Sequence, residues 1–338
     1  MSTPSLPTTL FLPTAPAIPG LTFRFFRGEA DFPGMVEVFE ASKALDELDF
    51  VITVDDIQRQ FAHLENCDPG RDMLIAEVDG EMVAYSRAYW EQESDGDRIY
   101  GLMGLMKPAW RRKGIGAAMW RYGEQRLREI ARDHPPELPK YLQRGAYASE
   151  VGLVALLERE GYTPVRYGFE MLRPIDVPLT VAPLPEGLQV RPVRPEDVRT
   201  VMAATDEAFR DHWGHRPMTE NEIHQWMEDR IFNPSLWMVA WDGDQVAGGV
   251  LNFVDQAENE TYNRRRGYTE TISVRRPWRR RGLARSLLTQ SIQMFKEMGM
   301  QETALGVDTQ NPSGALNLYE SVGYKTIKQH VTYRKAMA

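Results

Sequence analysis

Pro108-Ala109-Trp110-Arg111-Arg112-Lys113-Gly114-Ile115-Gly116 returns in the second half of the chain as Arg276-Pro277-Trp278-Arg279-Arg280-Arg281-Gly282-Leu283-Ala284. Other echoes keep the same order. Val78-Asp79-Gly80-Glu81-Met82-Val83-Ala84 matches Trp241-Asp242-Gly243-Asp244-Gln245-Val246-Ala247, and Leu157-Glu158-Arg159-Glu160-Gly161-Tyr162 matches Tyr319-Glu320-Ser321-Val322-Gly323-Tyr324. Leu21-Thr22-Phe23-Arg24 is echoed by Leu188-Gln189-Val190-Arg191. Ordered self-similarity of this kind marks a tandem duplication. The 338 residues therefore divide into two units of ordinary domain size.

The expected boundaries follow from composition. Residues 1–19 read as a flexible Pro/Thr-rich tail, 20–174 as the first domain, 175–186 as a linker punctuated by prolines, and 187–338 as the second domain. Each unit runs strand, helices, hairpin, strand, helix, strand, short helix, strand, which is an α/β pattern with a mixed sheet. In the second unit the apolar spacing predicts a strand over 268–274 and a helix over 283–298, and acids in the first turn start a helix near Pro195.

Arg279-x-x-Gly282-x-Ala284 falls where that strand gives way to the helix, and Arg111-x-x-Gly114-x-Gly116 does the same in the first unit. Small residues permit close approach of an anion to the backbone. A helix N-terminus offers free N–H groups and the positive end of a dipole, and arginines add charge-assisted bonds to phosphate. The composite is a pyrophosphate cradle. It lacks the glycine spacing of a dinucleotide-binding turn and the Gly-Lys-Ser/Thr ending of a P-loop.

On these residues both units resemble the GNAT superfamily of acetyl-CoA-dependent N-acyltransferases, over nearly the whole chain from about residue 20. The resemblance implies two tandem acyltransferase domains, each a central mixed sheet flanked by helices, and acetyl-CoA as cosubstrate. It implies that Arg279, Arg280, Arg281, Gly282, Leu283 and Ala284 hold the CoA pyrophosphate, with Asn311 on the following helix. It also implies that the Val274 N–H polarises the thioester carbonyl and that Tyr319 protonates the leaving thiolate. Arg111, Arg112, Lys113, Gly114 and Gly116 are the matching set in the first unit, where the turn reads equally as a second CoA site or as scaffold.

Chemistry asks for the same parts. Acyl transfer from a thioester needs an oxyanion donor, an acid for the thiolate and a base for the ammonium. Alternation along the strand puts Glu270, Ile272 and Val274 on one face, which makes Glu270 the expected base, with Asp308 in reserve. Both have plainer readings: Glu270 as a solvated or salt-bridged strand carboxylate, Tyr319 as an aromatic packed on the sheet. Tyr319 corresponds to Leu157 and Asn311 to Ser149, so the second unit is expected to be the catalyst and the first not.

The expected reaction is acetyl transfer to a primary amine of a small molecule by direct attack. A protein or peptide N-acetyltransferase and a non-catalytic acyl-CoA scaffold are the alternatives. The helices near 197–232 and the loop near 254–266 are expected to shape the acceptor site. Asp206, Glu207, Asp211, Glu220, Glu222 and Asp255 there would suit a cationic amine, or simply solvate helix faces. The net charge of −8 argues against nucleic acid as a partner, although five of the seven residues Arg275–Arg281 are arginine. His212-x-x-His215 has ligand spacing but no supporting cysteines, so no metal is expected. The lone Cys67 excludes a disulfide framework. No apolar run is long enough to span a membrane. The expectation is a cytoplasmic monomer or homodimer.

Overall fold

The computed structural model describes residues 9–311 and 313–337. Two compact units emerge: residues 1–166 with 331–338, and residues 167–330. In chain order the strands and helices are β1 (Leu21–Phe25), α1 (Phe32–Asp46), α2 (Val54–Ala62), α3 (Pro69–Asp72), β2 (Met73–Val78), β3 (Glu81–Gln92), β4 (Arg98–Met106), α4 (Ile115–Ala131), β5 (Lys140–Tyr147), α5 (Val151–Arg159) and β6 (Thr163–Pro174). They continue as β7 (Gln189–Val190), α6 (Val198–Phe209), α7 (Glu220–Met227), β8 (Met238–Asp242), β9 (Gln245–Phe253), α8 (Gln256–Thr261), β10 (Arg266–Val274), α9 (Leu283–Glu297), β11 (Glu302–Asp308), α10 (Ala315–Ser321) and β12 (Lys325–Ala336).

In the first unit β1, β2, β3 and β4 pair antiparallel, and β4 pairs parallel with β5. The last part of β12 lies beside β5 and sends Val331 and Tyr333 into the core with Leu142 and Leu157. In the second unit β7, β8, β9 and β10 pair antiparallel, β10 pairs parallel with β11, and β11 pairs antiparallel with residues 168–174 of β6. Both units are thus mixed sheets covered by helices. No helix among the described residues is long and apolar enough to cross a membrane.

The units do not divide where composition suggested. The strand that ends the first repeat completes the second unit's sheet, and the strand that ends the second repeat completes the first unit's sheet. Residues 175–186, expected as a linker, belong to the second unit. The fully buried Arg173 donates to the carbonyls of Val177 and Val322, and Ala182 exchanges hydrogen bonds with Thr289 and Ser286 of α9. Part of the expected tail is also docked: the Leu10 N–H donates to the Phe23 carbonyl at 2.7 Å, and Leu12 is buried with Phe23 and Ile115. Residues 1–8 of that tail lie outside the described residues.

Helix α9 positions the site of the second unit. Its apolar face carries Leu283, Leu287, Leu288, Ile292 and Phe295, all buried at helical spacing. A Cβ on Gly267 would come within 2.5 Å of the Phe295 ring, so glycine there lets the helix lie close on β10. Helix α7 starts at a capping box between Thr219 and Glu222.

Candidate active site

Two turns of nearly equal shape open α4 and α9. Arg112 and Gly114 have φ of 60° and 93°, and Arg280 and Gly282 have φ of 61° and 84°. Both glycines cap their helices in the left-handed region, and no atom lies within 4 Å of a Cβ built on Gly282. The first helical bonds are Ala118 N–H to the Gly114 carbonyl and Ser286 N–H to the Gly282 carbonyl. The earlier amides of each helix are left for an outside acceptor. This open, amide-lined hollow fits a pyrophosphate group.

The arginine side chains divide differently from the sequence expectation. Arg279 donates through Nε to the Val274 carbonyl (3.0 Å) and through Nη2 to the Ala208 carbonyl (2.9 Å), and it pairs with Asp211. Arg111 matches it: Nε meets the Met106 carbonyl (3.0 Å) and both Nη atoms meet Asp46 (2.6 Å). These two guanidinia fasten the turn to α6 and α1. Arg281 donates to the Glu186 carbonyl. Lys113 lies 4.6 Å over the Trp110 ring. Exposed Arg280 and Arg112 make no hydrogen bond or ion pair among the described residues. Leu283 is buried as the helix anchor, Ala284 and Gly116 sit in the first helical turns, and Gly116 lines the first unit's cleft.

The strand before the second turn is broken. β10 pairs with β9 at Glu270↔Leu251 and next at Ser273↔Gly249, so one extra residue is inserted. Thr271 takes up the bulge with φ of 50°, which is strained for a β-branched residue. Leu251 and Gly249 share a face, and so do their partners Glu270 and Ser273. The expected single face of Glu270, Ile272 and Val274 is therefore corrected: the bulge reverses the alternation between Glu270 and Val274.

What the bulge does instead is open a gap beside β11. The parallel pairing of β10 with β11 runs only over Arg266–Tyr268. Just beyond, the buried Tyr324 hydroxyl bridges Thr269 Oγ1 and Thr303 Oγ1, each at 2.8 Å. Past this bridge the Glu270 carboxylate accepts the Gly306 N–H at 2.7 Å, where a ladder bond would otherwise form. Arg275 N–H donates back to the Ala247 carbonyl (3.0 Å), so alternation turns the Val274 N–H away from β9, toward the same gap. Burial pushes the Glu270 carboxyl up to about 7, against the Gly306 and Thr271 amides that pull it down.

Tyr319 of α10 is buried beside Tyr324 and Val307. Burial and the neighbouring Glu270 charge hold its phenol above the usual range. Its hydroxyl makes no hydrogen bond among the described residues. The structure thus brings Glu270, the Val274 amide and Tyr319 to one splayed region next to the turn. The Asn311 side-chain oxygen caps its own turn by accepting the Ser313 N–H, and Asp308 accepts the Gln310 N–H.

A cavity of about 530 Å³ opens between α6 and α7, lined by Phe209, His212, Trp213, His215, Arg216 and Glu222 among others. His215 faces Asp206 at 3.1 Å, and burial depresses the His212 imidazole. The six acids expected to attract an amine are each engaged: Asp206 with His215, Glu207 with Arg275, Asp211 with Arg276 and Arg279, Glu220 with Arg199, Glu222 with Arg216, and Asp255 with Arg230. These pairings are not visible in the sequence, because the partners come from other turns and elements. The loop expected at 254–266 contains α8.

The first unit lacks this machinery. β3 and β4 pair without a bulge from Ala84↔Met106 to Gln92↔Arg98, Leu102 is buried in the core, and Leu157 is fully buried where α10 carries Tyr319.

Comparison with known proteins is consistent with both units. The acetyltransferase (GNAT) family matches residues 39–134 and 198–324. A mycothiol acetyltransferase of Geodermatophilus obscurus is 28% identical over 79% of this chain and 83% of its own. A GCN5-related N-acetyltransferase from Sphaerobacter thermophilus is 26% identical with a TM-score of 0.69, covering 94% of this chain and 95% of that one. A tandem GNAT protein from the clavulanic acid biosynthesis pathway shares the fold at 16% identity, with a TM-score of 0.64 and coverage of 94% and 98%.

Proposed function

The chain belongs to the GNAT family of acetyl-CoA-dependent N-acetyltransferases, and from that premise we propose that its second unit acetylates a primary amine of a small molecule by direct attack. Acetyl-CoA supplies the activated acetyl group as a thioester. The observation that carries the reading is the Glu270 carboxylate, set in the gap between β10 and β11 and tuned to about 7. A base in that range is half-ionised at neutral pH and suited to taking a proton from an ammonium.

The residues then divide the work. The amides from Gly282 onward, with Arg280, hold the pyrophosphate. Glu270 accepts the proton of the incoming ammonium, directly or through one water. The amine nitrogen bonds to the carbonyl carbon while the Val274 N–H stabilises the charge on its oxygen. The carbon–sulfur bond breaks, the Tyr319 hydroxyl gives its proton to the thiolate, and the second proton lost by the nitrogen restores the Tyr319 phenol. A high phenol pKa matches that duty, since the group must arrive protonated.

The small-molecule acceptor is supported by the cavity between α6 and α7 and by the mycothiol acetyltransferase relatives. The test is thiol release from acetyl-CoA against a panel of small primary amines and N-terminal peptides. Turnover on a small amine, absent in Glu270→Gln, is the expected result. Turnover on peptides alone would overturn the acceptor class. Acetyl-CoA binding without turnover on any amine would leave a scaffold.

A further inference from the structure

The cavity between α6 and α7 begins where α6 ends. Phe209 closes the helix, and His212, Trp213 and His215 line the cavity just after it. Two arginines around the second turn hold that end of α6 on the sheet. Arg275 donates through Nη1 to the Val246 carbonyl of β9 (3.0 Å) and through Nε to Glu207 of α6 (2.9 Å). Arg279 donates through Nε to the Val274 carbonyl of β10 (3.0 Å) and through Nη2 to the Ala208 carbonyl of α6 (2.9 Å). Each guanidinium thus spans one strand end and the last turn of the helix.

The planar fork of a guanidinium fixes two acceptors relative to each other, which a single point charge does not. Carbonyls in the last turn of a helix lack intrahelical donors, and a cation there also meets the negative end of the dipole. Arg279 supplies both to Ala208. Its remaining nitrogen, Nη1, pairs with Asp211 (3.2 Å), so all three nitrogens are engaged on the protein and the phosphate is left to the Gly282 amides and Arg280. The exposed pair of Arg276 with Asp211 lies outside these bridges and adds little. We propose that Arg279, together with Arg275, is a positioning residue for the acceptor: it fixes the Phe209–His215 segment against the end of β10, where the Val274 N–H meets the thioester. The inference rests on acetyl transfer by the second unit and adds how the amine is placed. The first arginine of the turn then acts on the acceptor, not on the phosphate.

The test uses the full chain. Acetyl-CoA affinity is measured calorimetrically, amine kinetics by thiol release, and amide hydrogen exchange over residues 209–216 by mass spectrometry. Arg279→Met is expected to raise the amine KM about tenfold, the size of one lost hydrogen bond to a charged group. Its kcat and acetyl-CoA Kd should stay within about threefold of the parent. Exchange over 209–216 should quicken while that of α9 does not. Arg279→Lys keeps the charge without the fork, so it should behave as Arg279→Met does. Arg276→Met should change none of these, and thermal unfolding checks that each variant is folded. A rise in acetyl-CoA Kd equal to that in amine KM, full rescue by lysine, or unchanged exchange overturns the proposal. Absence of turnover in the parent removes the acetylation reading and the acceptor with it, while the exchange result still decides whether Arg279 clamps α6.

Discussion

The two units carry almost the same turn and almost opposite interiors. Arg112–Gly114 and Arg280–Gly282 agree in backbone shape, and Arg111 and Arg279 both fasten that turn to the preceding helical layer. A few residues upstream the likeness ends. β4 keeps its register and buries Leu102, whereas β10 breaks at Thr271 and directs Glu270 toward β11. Holding an anion and moving a proton are therefore separable properties of this fold. The first needs only the turn. On the proposed reading the second needs a bulged strand with a carboxylate and a phenol set beside it, as Thr271, Glu270 and Tyr319 are in the second unit.

The comparison is broken most severely at Glu270. Glu270→Gln is expected to lower kcat about 10²–10⁴-fold, whereas Leu102→Ala leaves kcat unchanged. In the wild type kcat/KM should rise with pH through about 7, because the carboxyl must be ionised to act, and this limb should vanish in Glu270→Gln. A rate independent of pH between 5.5 and 8.5 would remove Glu270 as the base. Tyr319→Phe is expected to cost about 10²-fold in kcat with little change in acetyl-CoA affinity. Leu157→Tyr in the first unit should confer no turnover, since Leu102, counted back from the turn, stands where β10 carries Glu270.

Stability sharpens the contrast further. Arg111→Met leaves the buried Asp46 without its partner and should cost about 3 kcal/mol in denaturant unfolding. Arg279→Met, on the more exposed Asp211, should change the midpoint little. The smallest effect is expected at the bulge. Thr271→Gly relieves a left-handed β-branched residue and should raise stability by up to ~1 kcal/mol, despite the entropy that glycine adds to the unfolded chain. At the matching place in β4, Met103→Gly should destabilise.

The turn was legible because local residue types set it: glycine for the left-handed cap, small residues after it, an apolar helix face beyond. Glu270 and Tyr319 were legible as residues on named elements. The bulge was not, because register is decided by the partner strand and nothing local to Thr271 announces it. By residue type and place the Arg279 guanidinium suits a phosphate, but it donates to the Ala208 carbonyl of α6, which a linear reading does not bring near. The strands ending each repeat were visible as extended segments, while their place in a sheet is a long-range choice. Leu10 and Leu12 likewise looked like tail until Phe23 and Ile115 covered them.

The placement of residues 331–337 has a consequence for biosynthesis. Domains ordinarily fold in turn as the chain leaves the ribosome. Here the first 166 residues emerge without the strand that lies beside β5, and Arg334 and Lys335 must still arrive to meet Glu93 and Glu124. The nascent first unit waits, with an unpaired sheet edge, until residues 331–337 are made. Truncation before Val331 would therefore injure the amino-terminal unit first.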